Sequence, residues 1–123
     1  MEYILTEQAN FRVLTVDNLT YEYENQKVLD QLLERFEIGN SNLVINLANI
    51  KFMNSMGLRF LIALLTKTRN EGGDTVLIAA SEQVNKLLIM TKLNSIFTVF
   101  EDLDAVTASG VFEPKTIYAE DIF

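Results

Sequence analysis

Residues 47–58 read Leu-Ala-Asn-Ile-Lys-Phe-Met-Asn-Ser-Met-Gly-Leu, and this stretch decides the fold of the chain. Its first residue ends an apolar run, 43–47, that is typical of a buried strand. Its last residue begins an apolar stripe at helical spacing, which stops before Gly72 and Gly73. Residues 75–79 form the next β-rich run. Strand, helix and strand in this order predict a parallel, right-handed βαβ unit.

The segment before this unit predicts a hairpin and a first helix. Residues 3–7 and 11–16 are short β-rich runs with a polar connection between them, as in a hairpin. An apolar stripe at helical spacing then runs from Val28 to Phe36, and Gly39 marks its end.

The segment after the unit predicts one more helix, a closing strand and a short last helix. Ser81 is the expected N-cap of the third helix. Residues 98–100 form the closing strand, and residues 102–108 form the last helix. The predicted fold is therefore an α/β two-layer sandwich, in which a mixed sheet of four to five strands carries about four helices on one face.

The length of 123 residues fits one domain. We assign residues 1–110 to that domain and residues 111–123 to a C-terminal tail, either docked or flexible, which contains the only proline, Pro114.

The composition argues against several classes of function. Cys and His are both absent, which removes thiolate and imidazole chemistry from catalysis and metal binding. The net charge of -7 opposes binding to nucleic acid or to an anionic membrane. The longest apolar run, residues 60–65, is too short for membrane insertion, and the start of the chain lacks a signal peptide. We expect a cytoplasmic protein with no cofactor, no metal and no small-molecule substrate.

The informative polar position is Ser55, which lies where the second helix begins. Unpaired N–H groups at a helix N-terminus favour a capping side chain, and they also favour a phosphate. Local sequence alone leaves two interpretations open for Ser55, a plain helix cap or a phosphorylated residue.

The same segment resembles the STAS domain of bacterial anti-sigma factor antagonists. The family pattern is an apolar strand, a short loop, Asp-Ser-Ser/Thr-Gly-Leu opening a helix, and Gly-Gly before the next strand. The corresponding segments here are residues 43–47, 52–58 and 72–75, and the likeness extends over about residues 3 to 108.

This resemblance implies a binding function rather than catalysis. Ser55 matches the serine that a partner phosphorylates, a partner that is both anti-sigma factor and serine kinase. The unphosphorylated form binds the partner, and phosphorylation releases it. The predicted partner-binding surface consists of Thr20, Phe52, Met53, Asn54, Ser55, Met56, Gly57 and Arg59.

Three positions depart from the family pattern. Asn54 replaces the Asp, Met56 replaces the second Ser/Thr, and Thr20 stands where an acidic residue is usual. Met56 is expected either in the core or in a partner interface.

Two other functions compete with the switch. The first is a STAS scaffold or transport-associated subunit, which has the same fold but is not phosphorylated and binds its partner constitutively. The second is an enzyme with Ser55 as nucleophile, which lacks a His base and a Gly-x-Ser-x-Gly elbow.

Overall fold

Five strands form one mixed sheet in the computed structural model, which describes residues 2–8, 10–34 and 41–113. Along the sheet the strands follow their order in the chain. β1 runs antiparallel to β2, and the pairs β2–β3, β3–β4 and β4–β5 are parallel. The strands are β1 (Tyr3–Glu7), β2 (Arg12–Val16), β3 (Leu43–Asn46), β4 (Thr75–Ile78) and β5 (Val99–Phe100).

The described residues form four α-helices, of which three connect strands and the fourth follows β5. They are α1 (Glu22–Leu33), α2 (Ser55–Asn70), α3 (Glu82–Met90) and α4 (Leu103–Ser109), and a short 3₁₀ helix (Leu93–Ser95) follows α3. The predicted hairpin, βαβ unit, closing strand and last helix are confirmed. The predicted end of the first helix at Gly39 lies outside the described residues.

The sheet is covered on both faces, and this corrects one detail of the predicted fold. Alternate residues of the central strands enter two separate apolar clusters. Helices α1, α2 and α3 contribute to one cluster, whereas Val106 of α4 packs with Val44 and Val76 in the other. The four helices therefore do not share one face. Parallel strands that are apolar at successive positions need cover on both sides, and α4 supplies the second cover.

Packing on the second face continues past the predicted domain end at residue 110. Phe112 is buried in the cluster that contains Val106, and its ring centroid lies 5.6 Å from that of Phe11. The domain boundary stays a prediction, and residues 114–123 of the predicted tail lie outside the described residues.

Two contacts fix helix α2 against the sheet. The hydroxyls of Thr68 in α2 and Thr75 in β4 share a buried hydrogen bond of 2.7 Å. After the helix, Gly73 passes so close to the segment leading into β3 that a Cβ atom there would overlap the backbone carbonyl of Ser41. Close backbone contact at Gly73 therefore fixes the position of the end of α2. The position of its start depends on the loop after β3.

We predict that Phe112→Ala lowers the free energy of unfolding by about 3 kcal/mol, because it leaves a cavity under α4. The neighbouring Val111 is 42 % exposed, so Val111→Ala serves as the control and should change it by no more than about 0.5 kcal/mol. Urea denaturation of both variants measures the difference. Equal losses of unfolding free energy in the two variants would contradict the packing of Phe112 on the second face of the sheet.

Candidate functional site: the surface at the start of helix α2

Helix α2 begins at Ser55, and the side chain that caps it belongs to the preceding residue. Asn54 has an extended backbone, and its Oδ1 accepts hydrogen bonds from the backbone N–H groups of Met56 at 3.0 Å and Gly57 at 3.3 Å. The interpretation of Ser55 as a plain cap is therefore wrong. Ser55 is the first helical residue and is exposed, as expected for a position that another protein can reach.

Asn54 also joins the start of α2 to the loop that precedes α1. Its Nδ2 donates to the carbonyl of Thr20 at 3.3 Å. Thr20 in turn donates from its backbone N–H and its hydroxyl to Asn18 Oδ1, at 2.8 and 2.7 Å. The structure thus places Thr20 beside the start of α2, although the two are far apart in sequence.

The loop before Asn54 rests on a close contact between Met53 and Gly57. Met53 is buried, and a Cβ atom on Gly57 would overlap its side chain and lie 3.1 Å from Leu19 Cβ. Phe52, by contrast, is 66 % exposed. Glycine at position 57 therefore leaves room for the buried side chain of Met53. The preceding residue, Phe52, stays on the surface.

Met56 and Arg59 face the neighbouring helix α1. Both line a groove of about 230 Å3 between α1 and α2. Arg59 Nη1 lies 3.8 Å from Glu22 Oε1, and both of these side chains are largely exposed. Met56 is half-buried and belongs to neither apolar cluster. Met56 therefore lies outside the two apolar clusters, and its place in a partner interface stays a prediction.

The predicted partner-binding residues thus divide into a surface and its support. Four are exposed, namely Phe52, Asn54, Ser55 and Arg59, and two are half-buried, Thr20 and Met56. Met53 and Gly57 are buried, so they shape the loop from beneath. We call the first six residues the Ser55 surface. Its role in partner binding stays a prediction.

Two exposed aromatic residues near the Ser55 surface were not predicted. Tyr21 and Tyr23, at the start of α1, are 61 % and 81 % exposed. The sequence carries a signal for them, because both precede the apolar stripe that begins at Val28 and neither belongs to it. Aromatic side chains left in solvent beside a helix start are typical of contact surfaces.

The chemistry available at Ser55 is that of an accessible hydroxyl at a positive helix end. Within the described part of the chain its hydroxyl makes no hydrogen bond, and the first turn of α2 contains no acidic residue. The described residues hold no cluster of acidic side chains that could bind a metal ion. A negative group on Ser55 would meet the uncompensated positive end of the helix dipole.

Comparison with protein-family models matches the STAS domain over residues 2–106. The chain belongs to the STAS domain family. The predicted α/β STAS sandwich is thereby confirmed, apart from the position of α4. Within the described residues, no helix of this STAS domain is long and apolar enough to cross a membrane.

Solved structures share the fold at low sequence identity. An anti-sigma-factor antagonist (STAS) domain protein from Planctomyces limnophilus is 15 % identical over 87 % of this chain and 96 % of its own, with a TM-score of 0.75. The anti-sigma factor antagonist SpoIIAA in its unphosphorylated form is 14 % identical over 88 % and 96 %, with a TM-score of 0.71. The murine Slc26a9 anion transporter, in its inward-facing state, is 18 % identical over 85 % of this chain but 18 % of its own, with a TM-score of 0.68.

We predict that Asn54→Ala lowers the free energy of unfolding by about 1–2 kcal/mol, because it removes both the helix cap and the bond to Thr20. Ser55→Ala removes no observed hydrogen bond and should change it by about 0.5 kcal/mol or less. Thermal or urea unfolding of the two variants separates them. A larger loss in Ser55→Ala than in Asn54→Ala would contradict the assignment of the cap.

Proposed function

We propose that this STAS domain is a protein-binding switch of the anti-sigma factor antagonist type. In its unphosphorylated state it binds an anti-sigma factor with serine kinase activity through the Ser55 surface, and phosphorylation of Ser55 releases it. The switch operates in the cytoplasm and needs no cofactor. The observation that carries the proposal is the free, exposed hydroxyl of Ser55 at the first position of a capped helix.

Rigid support beneath Ser55 favours a surface that is ready to bind. Asn54 fixes the helix start, and the buried Met53 fixes the loop before it. The exposed Phe52 and the half-buried Met56 supply apolar contact area on either side of the hydroxyl. A partner that covers Ser55 therefore meets apolar groups around a neutral hydroxyl.

A phosphate changes this surface through charge. It adds about -1.5 to -2 charges at neutral pH, in the middle of the area that the partner would cover. It also competes with Asn54 Oδ1 for the first backbone N–H groups of α2. Arg59 lies four residues after Ser55, within reach of a charged group at that position. Its present partner, Glu22, is an exposed carboxylate at 3.8 Å that holds it weakly.

Asn54 and Met56 favour the second candidate, a STAS scaffold or transport-associated subunit that binds constitutively. Asn54 makes a bond to the Thr20 carbonyl that a carboxylate could not donate, so its amide has a structural use independent of phosphorylation. The fold also occurs within an anion transporter. Pull-down from the native host separates the candidates, because the switch retains an anti-sigma factor kinase and the scaffold retains a transport component.

We predict that Ser55→Ala binds the captured kinase at least as tightly as the native chain, whereas Ser55→Asp and phosphorylated Ser55 bind it at least tenfold more weakly. Burying a charge in an interface costs several kcal/mol, whereas the helix dipole returns about 0.3–1 kcal/mol and an exposed pair with Arg59 about 1 kcal/mol or less. Calorimetric titration at one salt concentration measures the affinities. Thermal unfolding should show Ser55→Asp to be no less stable than Ser55→Ala.

Thr66→Asp is the matched control for charge. Thr66 is also exposed on α2, about 16 Å further along the helix axis. This variant should bind the kinase like the native chain. Equal affinity for native, Ser55→Ala and Ser55→Asp chains would contradict the switch and favour the constitutive scaffold.

We also predict that the purified chain hydrolyses neither ATP nor simple esters, because a serine nucleophile needs an activating base and the sequence contains no His. A coupled phosphate-release assay and a chromogenic ester assay check this. Turnover that survives repurification and disappears in Ser55→Ala would make the protein an enzyme.

A further inference from the structure

A second apolar surface lies next to the Ser55 surface, between Phe52 and helix α3. It is an open groove of about 410 Å3, and we call it the α3 groove. Met53 and Leu87 contribute less exposed side chains, whereas Phe52 and Met90 are 66 % and 80 % exposed. The groove is lined by Phe52, Met53, Gln83, Lys86, Leu87 and Met90.

The two walls of the α3 groove are held together by one side chain. Ser81 Oγ accepts from the backbone N–H of Val84, which caps α3, and donates to the carbonyl of Lys51 at 3.0 Å. The helix start and the loop carrying Phe52 are thus fixed to each other. A groove formed in advance binds a segment without an ordering cost of its own.

One lysine, Lys86, lines the α3 groove, and two more lysines lie close in sequence to its lining residues, although the whole chain is acidic. Lys51 precedes Phe52, and Lys92 follows shortly after Met90; neither forms an ion pair with any residue that the structure describes. Lys86 lines the groove and pairs with Glu82 at 3.2 Å, with both side chains largely exposed. An exposed pair of this kind is weak and leaves the lysine available to another carboxylate.

From these features we infer that the α3 groove binds an amphipathic segment of a partner protein, with apolar side chains flanked by Asp or Glu. The exposed apolar side chains favour contact with apolar groups. The lysines select carboxylates beside them and disfavour basic segments. Because the chain as a whole carries a net charge of -7, an acidic segment needs a local basic group to bind, and Lys86 supplies one in this groove.

This inference does not need phosphorylation, although it extends the proposed interface. Phe52 belongs to both the Ser55 surface and the α3 groove. If the proposed function holds, the acidic segment belongs to the partner that covers Ser55. If the chain is a constitutive scaffold, the same groove still receives an acidic segment.

The test is an NMR titration of the ¹⁵N-labelled full chain with a synthetic amphipathic peptide of about four helical turns. The peptide carries Leu and Phe at i, i+3, i+4 and i+7 and Glu on both flanks, and a second peptide carries Lys in place of Glu. We expect saturable shifts of the amides around Phe52 and along α3 with the acidic peptide. The basic peptide should bind about tenfold more weakly or not at all.

Variants of adjacent residues provide the controls. Met90→Ala should weaken binding of the acidic peptide by about fivefold, because it removes a side chain that lines the groove. Ile89→Ala removes a residue that is 60 % exposed but does not line the groove, and it should leave binding unchanged. Lys86→Glu should weaken binding, whereas Lys27→Glu, with the same change of charge on α1, should not.

Each other outcome overturns the inference in an identifiable way. No saturable shift at about 1 mM acidic peptide would show that the groove does not bind such a segment. Binding of the basic peptide as tight as that of the acidic peptide would show that the lysines do not select carboxylates.

Two further measurements distinguish other occupants of the groove. Sedimentation of the chain with anionic vesicles, lost in Phe52→Asp, would assign the groove to a membrane. Shifts that grow with protein concentration alone would assign it to a second copy of the chain. Ser55→Ala should leave peptide binding unchanged, so failure here is distinguishable from failure of the proposed switch.

Discussion

The hydrogen bonds of the Asn54 side chain are the interactions on which the Ser55 surface depends. The side-chain oxygen satisfies two backbone N–H groups at the start of α2, and the side-chain nitrogen donates to the carbonyl of Thr20. Three polar groups that would otherwise need water are thus satisfied by one amide. The bond to Thr20 joins two loops, so the start of α2 and the start of α1 keep a fixed relation. The exposed serine beside this amide is therefore the first residue of a helix whose start is fixed.

The molecule places chemically different surfaces on the two sides of that serine. Toward α1 lie exposed Tyr21 and Tyr23, with Glu22 near Arg59. Toward α3 lies the groove of Phe52 and Met90, which Lys86 also lines. The α1 side thus carries aromatic groups and an ion pair, whereas the α3 side carries apolar groups and a lysine. This difference would let a bound protein distinguish the two sides.

The local sequence predicted most of the fold and less of the site. Buried strands such as Leu43–Asn46 and the stripe of α2 have periodicities that report secondary structure directly. The position of α4 could not be read in this way, because a short helix with one buried valine fits either face of a sheet. Likewise, the choice between Asn54 and Ser55 as the cap depends on backbone conformation, since both residue types are good caps.

The long-range parts of the site have no sequence signal of their own. Thr20 reaches Asn54 only through the parallel pairing of β2 with β3, which brings their following loops together. The α3 groove has only a weak signal, because Met90 is an apolar residue outside the buried positions of that helix. The exposure of Met90, and its place beside Phe52 in one groove, required the structure.

We propose Ser55 as the phosphate-accepting residue of a binding surface. Mass spectrometry of the protein isolated from its own cells, with fragmentation to locate any phosphate, tests this directly. We expect a fraction of chains to carry a single phosphate on Ser55, and the chains in complex with the partner to be unmodified. Phosphate at another residue, or phosphorylated Ser55 retained in that complex, would contradict this proposal.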